Sequence, residues 1–233
     1  MCPSLVEKVE KNPTPSSVLA IIATLNEEPG IGPTLAELRE FLADGKFLVV
    51  DGNSVDGTVE VAKEMGAEVL FQPGSGKGNA IAYAIQHVDS DVKYVVFIDA
   101  DYTYPAEYLT EMVKILEEDP QVGMVCGNRF NNSLHLGRMH NLLYTGNRTI
   151  AFIHNLLNGV HMHDPLTGLR VVRWKILKNW KPKSKSFDLE VEMNHYVERK
   201  GYGIVEIPIH YRPRLGEKKL HACYPSYQSL RAS

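Results

Sequence analysis

Two carboxylates, Asp99 and Asp101, follow an apolar run with one small residue between them. The run from Tyr94 to Ile98 is β-branched and aromatic without a break, which is typical of a strand buried on both faces in the middle of a parallel sheet. Ligands of open α/β sheets bind outside the carboxyl ends of the strands, so both acids are predicted to lie at a site. In an extended segment they point to the same side, about 6–7 Å apart, where two oxygen ligands can share a divalent cation that holds a diphosphate. The alternative is that Asp101 only caps the following helix.

Further polar residues follow the first two predicted strands, Val18 to Leu25 and Lys46 to Val50. Carboxylates in such positions can accept hydrogen bonds from a nucleotide base and from ribose hydroxyls. The same sequences also suit turns and helix N-caps; for Asp56 the turn function is favoured, and for Asp51 the binding function. The polar residues concerned are Thr24, Asn26, Glu27, Asp51, Ser54 and Asp56.

A glycine-rich loop, PGSGKGN from Pro73 to Asn79, precedes another predicted helix. A phosphate-binding loop of the Walker type needs a hydroxyl residue directly after its lysine, but here Gly78 follows Lys77. The Walker interpretation is therefore disfavoured, while a loop that lies over a nucleotide sugar stays open.

The first hundred residues alternate between strands and helices, which predicts an α/β fold. The order strand, helix, strand, helix, strand requires right-handed crossovers and a parallel sheet, as in nucleotide-binding half-domains. The last predicted strand should return Arg214 to the site. After the first strand, the predicted elements are a turn at 26–30, helices at 34–42, 59–65, 80–88, 105–118 and 187–196, and strands at 46–50, 66–71, 94–98 and 203–209.

The composition is that of an ordinary globular chain. Its 233 residues, 44% of them hydrophobic, are enough for one α/β domain with a sizeable core, and a net charge of -3 argues against a general nucleic-acid binder. Cys2, Cys126 and Cys223 show no disulfide or zinc pattern, which favours a reducing, cytoplasmic compartment. No run approaches the roughly 20 apolar residues of a membrane span, so membrane contact would be peripheral or made through a partner.

Four motifs in this order, ATLNE, VVDGNSVDGT, GSGKGNAI and FIDADYTYP, resemble the family-two inverting glycosyltransferases of the GT-A fold. The later segments GNRF, RMHNLLYTGNR, DPLTGLR and the stretch from Phe187 to Leu220 are similar to the polyprenyl-phosphate glycosyl synthases, which make dolichol-phosphate mannose or glucose (hexose). The resemblance implies a single Rossmann-like, mostly parallel sheet flanked by helices, with a C-terminal acceptor-side extension.

The resemblance also suggests how the chain is divided. A flexible leader is expected over residues 1–17, since it is rich in proline, serine and lysine and has no apolar signal core. The GT-A domain is expected over 18–220, with a nucleotide-binding half at 18–104 and an acceptor half at 105–220. Residues 221–233 form a tail without a motif.

The resemblance implies a donor site for a nucleotide sugar, with Mg²⁺ or Mn²⁺ as the cofactor. Asp99 and Asp101 match the metal-binding Asp-x-Asp of the family, and Asp101 is the firmer ligand. Gly52 and Thr103 depart from the family, which often has Asp and Gln there. On the pattern of DGNS, GNR and LTGLR, UDP-glucose is favoured over GDP-mannose. The implied nucleotide-sugar contacts are Thr24, Leu25, Glu27, Asp51, Asp99, Ala100, Asp101, Arg214 and Lys219.

The reaction itself calls for positive charge at the leaving diphosphate, in addition to the cation at Asp101. Arg214 and Lys219, in the segment RPRLGEKKL, are the candidates, with a solvated basic tail as the alternative. A lipid phosphate acceptor is already ionised at neutral pH, so no general base is needed, but the acceptor requires a cationic pocket, for which arginine is suited.

Four arginines are candidates for this acceptor pocket. Arg129 and Arg138 match acceptor-side arginines of the family by position, and Arg148 and Arg170 are further candidates. Arg170 has a structural alternative, in which it ties Asp164 within the turn DPLTGLR.

The acceptor tail requires an apolar surface, and residues 134–160 mix leucine, isoleucine and phenylalanine with asparagine, histidine and arginine. The pattern fits interfacial helices at a membrane and helices packed on the sheet equally well, and the resemblance favours the interface. The expected location is peripheral, at the cytosolic face of a membrane, and a membrane-anchoring partner subunit is compatible with it.

Three acids, Asp188, Glu190 and Glu192, lie on the predicted helix 187–196. With a phosphate acceptor, Asp188 or Glu190 would bind sugar hydroxyls or orient arginines. With a small soluble acceptor, the alternative activity, one of them would act as the base. A non-catalytic nucleotide-sugar-binding module is a third hypothesis, which the intact acids and basic residues disfavour.

Overall fold

The computed structural model describes residues 17–42, 44–89, 91–130, 162–184 and 189–216, and the strands in these residues form one sheet. The five stretches expected to be strands are strands, and β5 and β6 are two further strands that the sequence analysis did not predict. In chain order the strands are β1 (Val18–Thr24), β2 (Lys46–Asp51), β3 (Glu68–Phe71), β4 (Tyr94–Phe97), β5 (Val122–Asn128), β6 (Arg170–Arg173) and β7 (Gly203–Pro208).

The sheet is mixed but mostly parallel, with the order β3-β2-β1-β4-β6-β5-β7. Strand β1 pairs in parallel with β2 and β4, and β5 pairs in parallel with β7. Strand β6 runs antiparallel to both β4 and β5. The predicted mostly parallel α/β sheet is thus confirmed; β4 lies in its middle, with β1 as a parallel neighbour and β6 as an antiparallel one.

Helices cover both faces of the sheet. Among the described residues they are α1 (Glu28–Phe41), α2 (Thr58–Glu64), α3 (Lys77–Ile85), a 3-10 turn (Ala106–Tyr108) that leads into α4 (Leu109–Glu118), α5 (Trp174–Leu177) and α6 (Leu189–Arg199).

Helix α1 begins at Glu28, inside the stretch predicted to be a turn. Proline is tolerated in the first turn of a helix, so Pro29 does not prevent this early start. Gly30 then lies against the segment after β4, where an added Cβ would be 2.5 Å from the Ala100 carbonyl and 2.7 Å from the Cα of Asp101. Tertiary contact therefore extends the helix beyond what the local sequence favours, and it places the first turn of α1 at the predicted site.

Alternate strand residues belong to two cores, one on each face of the sheet. Ala20 and Ile22 pack with residues of α1 and α4, and Leu19 and Ile21 pack with residues of α3 and α6. Because both faces are covered, the central strands are apolar at every position, and polar residues appear where they end. None of the described helices is both long and apolar enough to cross a membrane.

Candidate active site

Asp101 lies after the carboxyl end of β4, in a turn that its own side chain stabilises. Its Oδ1 accepts hydrogen bonds from the backbone N–H of Thr103 at 3.2 Å and from the Thr103 hydroxyl at 2.6 Å. Tyr102 has a φ of 63°, which is uncommon for a residue other than glycine. The following 3-10 turn begins at Ala106, so the alternative in which Asp101 caps it is wrong. Thr103 is buried and supports Asp101.

Arg214 lies beside Asp101, at an Nη1–Oδ2 distance of 3.5 Å. Its Nη2 donates to Glu27 Oε1 at 2.5 Å. Arg214 thus bridges Glu27, which follows β1, and Asp101, which follows β4. The backbone N–H of Leu215 donates to the Asp101 carbonyl at 3.0 Å. The prediction that the chain after the last strand returns Arg214 to this edge is confirmed, while its contact with a diphosphate stays a prediction.

The segment that carries Arg214 is anchored by Arg212. The Arg212 guanidinium donates two hydrogen bonds to the carboxylate of Glu37 on α1, at 2.7 and 2.8 Å. Its backbone N–H donates to the Thr103 carbonyl at 2.9 Å, and its guanidinium lies 4.5 Å from the centre of the Tyr102 ring. The position of Arg214 therefore depends on Arg212, which binds Glu37 and Thr103 and not Asp101.

Lys77, which was noted in the sequence only as part of a glycine-rich loop, joins the site from the first turn of α3. Its Nζ donates to Asp99 Oδ1 at 2.7 Å and to Glu190 Oε1 at 2.8 Å. Burial lowers the pKa of Lys77, but the two carboxylates raise it further, so that it lies well above its ordinary value. Burial likewise raises the pKa of Asp99, and Lys77 brings it below its ordinary value. Both groups are charged at neutral pH.

Asp51 ends β2 and is held there by its own hydrogen bonds. Its side chain is fully buried, and its carboxylate accepts from the Thr24 hydroxyl at 3.1 Å, the Ser54 N–H at 2.8 Å and the Ser54 hydroxyl at 2.5 Å. In this structure Asp51 supports the loop that follows β2, and its direct contact with a nucleotide stays a prediction. Thr24, 6% exposed, shares this position, while Leu25 is 45% exposed and open to a ligand.

The loops after β1 and β2 are joined by side chains. Asp56 accepts from the Thr58 N–H at 3.1 Å and from the Glu28 N–H at 3.2 Å. Burial raises the pKa of Asp56, but these hydrogen bonds hold it below its ordinary value. Asp56 therefore has the turn function that the sequence favoured.

Arg129 pairs with Asp164, which the sequence had offered as a partner of Arg170. The Nε and Nη2 of Arg129 each lie 2.7 Å from a carboxylate oxygen of Asp164. Asp164 is held in turn by Glu206 of β7, whose Oε1 accepts its backbone N–H at 2.7 Å. Burial lowers the pKa of Arg129, but the neighbouring Tyr104 and Asp164 raise it well above its ordinary value. Contact of Arg129 with an acceptor phosphate stays a prediction.

Arg170 has the structural position that the sequence left open, with different partners. It is 1% exposed and donates to the carbonyls of Pro165 at 2.6 Å and Thr167 at 2.9 Å. It also donates to the side chain of Asn194 and the carbonyl of Glu190 on α6. Its burial and these internal partners favour the structural function of Arg170, and its contact with an acceptor phosphate stays a prediction.

Several predicted features lie outside the described residues. They are Lys219, Arg138, Arg148, Asp188, the segment 134–160, residues 1–16 of the leader and the tail. Glu192, which is described, accepts from the backbone N–H groups of Lys183 and Ser184.

The residues present fit a divalent cation that is held partly by its substrate. Among the described residues, no three His, Cys, Asp or Glu side chains are grouped to hold a metal ion. Mg²⁺ is commonly bound by one or two carboxylates together with substrate phosphates and water, so Asp101 and Asp99 are a sufficient protein contribution. Of the two, Asp99 is already paired with Lys77.

Comparison with known proteins identifies the family and several relatives. The sequence model described as "Glycosyl transferase family 2" matches residues 19–180. The chain is 36% identical over 204 residues to a dolichyl-phosphate hexose transferase of Haloferax volcanii, covering 86% of this chain and 85% of the relative. Glycosyltransferase AglJ of the same organism is 34% identical over 203 residues, covering 87% of this chain but 65% of that protein.

Solved structures agree with the fold. Glucosyl-3-phosphoglycerate synthase from Mycobacterium tuberculosis, in complex with Mn²⁺, UDP and glucosyl-3-phosphoglycerate, has a TM-score of 0.67 at 18% identity, covering 87% of this chain and 73% of that one. The complex of the same enzyme with Mn²⁺ and UDP-glucose has a TM-score of 0.69 at 20% identity, covering 87% and 72%. The predicted GT-A fold is thereby confirmed.

Proposed function

The chain belongs to glycosyl transferase family 2, and from this we propose that it transfers a hexose, with inversion, from a nucleotide sugar to the phosphate of dolichol or a related polyprenol, for glycan or glycoprotein synthesis. The observation that carries the proposal is the meeting of Asp101, Arg214 and the Lys77–Asp99 pair at one edge of the sheet. The named function of the 36% identical Haloferax relative supports the acceptor class.

The donor is proposed to bind over the carboxyl ends of β1, β2 and β4. Leu25 offers exposed apolar surface for the base. Asp101 would hold Mg²⁺ or Mn²⁺, which neutralises charge on the diphosphate when bound. Arg214, a permanently charged group 3.5 Å from Asp101, lies where it can donate to the same phosphate oxygens. The proposed donor is UDP-glucose, with GDP-mannose as the second choice, and Lys219 is retained as a second cation.

The acceptor phosphate is proposed to bind near Arg129. Its guanidinium is held by Asp164 and remains 16% exposed, so it can present a fixed positive charge to an anion. An ionised phosphate oxygen attacks the anomeric carbon, the bond to the diphosphate breaks, and no proton has to be removed. Arg138 and Arg148 are proposed further contacts. The amphipathic pattern of residues 134–160 supports a peripheral location at the cytosolic face of a membrane, alone or with an anchoring subunit.

The experiment is transfer of radiolabel from UDP-glucose, GDP-mannose and UDP-N-acetylglucosamine to dolichyl phosphate in detergent, with Mg²⁺ or Mn²⁺ and a chelator control. We expect labelled lipid from one donor and none after chelation. Asp101→Ala should reduce transfer by about 100-fold or more. Asp89→Ala is the matched control, because Asp89 is exposed and pairs with Lys46.

Two results would overturn the proposal. Full activity of the Asp101→Ala variant would show that Asp101 is not the metal ligand that the proposal requires. Label found only on a water-soluble acceptor would select the alternative, in which the family's chemistry is used on a small phosphorylated or hydroxylated molecule.

A further inference from the structure

A cleft of about 860 Å³ lies beside α6, and neither Asp101 nor Arg214 lines it. Residues 180–184 form one side of the cleft, and residues 191–200, in and directly after α6, form the other. The cleft follows α6 away from Glu190, the residue of this helix at the candidate active site, over roughly 14 Å at 1.5 Å per residue. It is therefore a feature separate from the candidate active site.

Contacts inside the protein hold the two sides of the cleft together. The Glu192 carboxylate accepts from the backbone N–H of Lys183 through both of its oxygens, at 3.0 Å each, and from the backbone N–H of Ser184 at 2.8 Å. The ring centres of Trp180 and Tyr196 are 5.9 Å apart, and both rings pack in the core on this face of the sheet. The cleft is therefore formed by the fold, and its shape does not depend on the charged ends of its lysines.

The lining of the cleft has an excess of positive charge, although the whole chain has a net charge of -3. Lys181, Lys183 and Lys200 line it and are exposed. Within the described ranges none of these three lysines forms an ion pair, and Lys200 lies over the Tyr196 ring at 5.3 Å. The carboxylate of the lining, Glu192, is occupied by backbone N–H groups. The ammonium groups are thus available to a ligand.

A second, smaller cleft shows that such an excess is not general on this surface. It has a volume of about 350 Å³, and its charged lining residues include two cations and two acids, Arg39, Lys46, Glu68 and Asp89. Lys46 pairs with Asp89 at 2.8 Å, and Arg39 donates to the carbonyl of Met65. Its charges are therefore balanced or occupied, whereas those beside α6 are not.

The chemistry of the lining favours a phosphate group. Lysine ammonium groups bind phosphate as point charges, and several of them together suit a doubly charged anion better than a single carboxylate. The ring of His195, which also lines the cleft, can add a hydrogen bond. The volume is in the range of sites for small molecules, about 300–1,000 Å³. Nucleic acid is disfavoured, since it requires extended basic surface on a chain that is negative overall.

We propose that this cleft is an anion site that binds a phosphate group through Lys181, Lys183 and Lys200. The proposal goes beyond the proposed function and does not depend on it. The phosphate can belong to an anionic lipid headgroup or to a soluble phosphate ester, because both present the same oxygens to the lysines. In the first case the site would also orient α6, and with it Glu190 at the candidate active site, relative to the membrane.

The test compares two variants of the full chain that lose the same charge. The first combines three substitutions in the cleft, Lys181→Gln, Lys183→Gln and Lys200→Gln. The matched control combines substitutions of three exposed lysines that each pair with an acid elsewhere on the surface, Lys46→Gln, Lys93→Gln and Lys114→Gln. All six side chains are exposed, so both variants should fold, which thermal unfolding checks.

Two classes of probe distinguish the sources of the phosphate. The first is vesicles of phosphatidylcholine with or without phosphatidylglycerol, and the readout is the gain in binding that phosphatidylglycerol causes. The second is inorganic pyrophosphate and glycerol phosphate, measured by calorimetry with a chelator present, so that no cation at Asp101 holds them. Binding to the unaltered protein should weaken as salt is raised. The cleft variant should lose about 10-fold or more in affinity, and the control should stay within about twofold.

The outcomes assign the ligand or overturn the site. Loss confined to vesicles assigns the cleft to lipid headgroups, loss confined to the soluble probes assigns it to a phosphate ester, and loss with both supports phosphate from either source. Equal binding by the two variants, or unaltered protein that binds neither class of probe, would overturn the anion site. Neither readout involves sugar transfer, so an enzyme that fails to transfer hexose to lipid phosphate would reject the proposed function alone.

Discussion

The Arg129 guanidinium and the Asp164 carboxylate form a two-bonded pair, with both N–O distances at 2.7 Å. Arg129 is at the end of β5 and Asp164 is 35 residues later. Glu206 completes the arrangement by accepting the backbone N–H of Asp164 at 2.7 Å and that of His163 at 2.7 Å. The orientation of Arg129 thus depends on a carboxylate of β7 that does not touch it.

Glu206→Gln should raise the KM for lipid phosphate by about fivefold with little change in kcat. The glutamine oxygen can accept from one of the two backbone N–H groups, but the glutamine NH₂ then faces the other one. We expect this to lower the stability of the turn that holds Asp164 by about 1 kcal/mol. The measurement is steady-state transfer at varied acceptor concentration. His163→Ala, which removes only the exposed ring contact with Glu206, is the control and should leave the acceptor KM unchanged. A Glu206→Gln enzyme with unaltered acceptor KM would contradict the role of Arg129.

Arg214→Lys should lower kcat by about 100-fold while the protein stays folded. The planar guanidinium of arginine can bind Glu27 through one nitrogen and a phosphate oxygen through another. A lysine retains the charge but lacks this second directed donor group. Single-turnover transfer measures the chemical step directly. Lys114→Ala, on the exposed face of α4, should be unaffected. Full activity of Arg214→Lys would remove Arg214 from the proposed leaving-group contacts.

Gly168→Ala should displace Asp99 and so weaken the proposed donor site, to which Gly168 itself contributes no side chain. A Cβ at this position would collide with the carboxylate of Asp99 and would lie 2.9 Å from the Tyr104 ring. We expect a loss of about 1–3 kcal/mol of stability and weaker binding of the nucleotide sugar. Gly203→Ala is the control, since its Cβ would meet only the Gln121 carbonyl at 3.7 Å. Thermal unfolding and calorimetry check both, and normal donor binding by Gly168→Ala would show that Asp99 tolerates displacement.

Arg170→Met should destabilise the protein by about 3 kcal/mol or more, because it leaves buried acceptors unpaired on the loop with Pro165 and Thr167 and on α6. Transfer per folded molecule, measured below the unfolding temperature, should be retained. Arg199→Met, on an exposed side chain at the end of α6, should change neither quantity. A stable Arg170→Met protein with a raised acceptor KM would restore Arg170 to the acceptor pocket.

Glu198→Gln should gain stability relative to the unaltered protein as pH rises. Burial raises the pKa of Glu198 to about 7, so between about pH 4.5 and 7 the folded state holds a proton that the unfolded state has lost. The stabilising effect of this protonation is complete below the unfolded pKa and is lost as pH rises through 7. The difference in the free energy of unfolding, followed through the melting temperatures of the two proteins, should therefore grow from pH 5 to pH 8 by on the order of 1 kcal/mol, since the side chain is partly hydrated. A pH-independent difference would contradict this.

The residues that follow β1, β2 and β4 could be located from the sequence because buried strands have a strong local signature. The run ending at Ile98 is apolar at every position, so its end, and the acids after it, are evident without a structure. The return of Arg214 after the last strand was also predicted, whereas the parallel pairing of that strand with β5 was not. The start of α1 was not, because contact of Gly30 with Ala100 outweighs local preference.

The partners of the charged side chains were decided by tertiary structure alone. The types and order of the residues determined an α/β sheet with acids at its carboxyl edge and arginines further along the chain. Whether Arg129 or Arg170 binds Asp164, whether Asp51 faces a ligand or a loop, and that Lys77 joins Asp99 to Glu190 depend on distances between segments up to 113 residues apart. Those distances cannot be predicted from the local sequence, because an ion pair adds no periodicity to either of the segments that it connects.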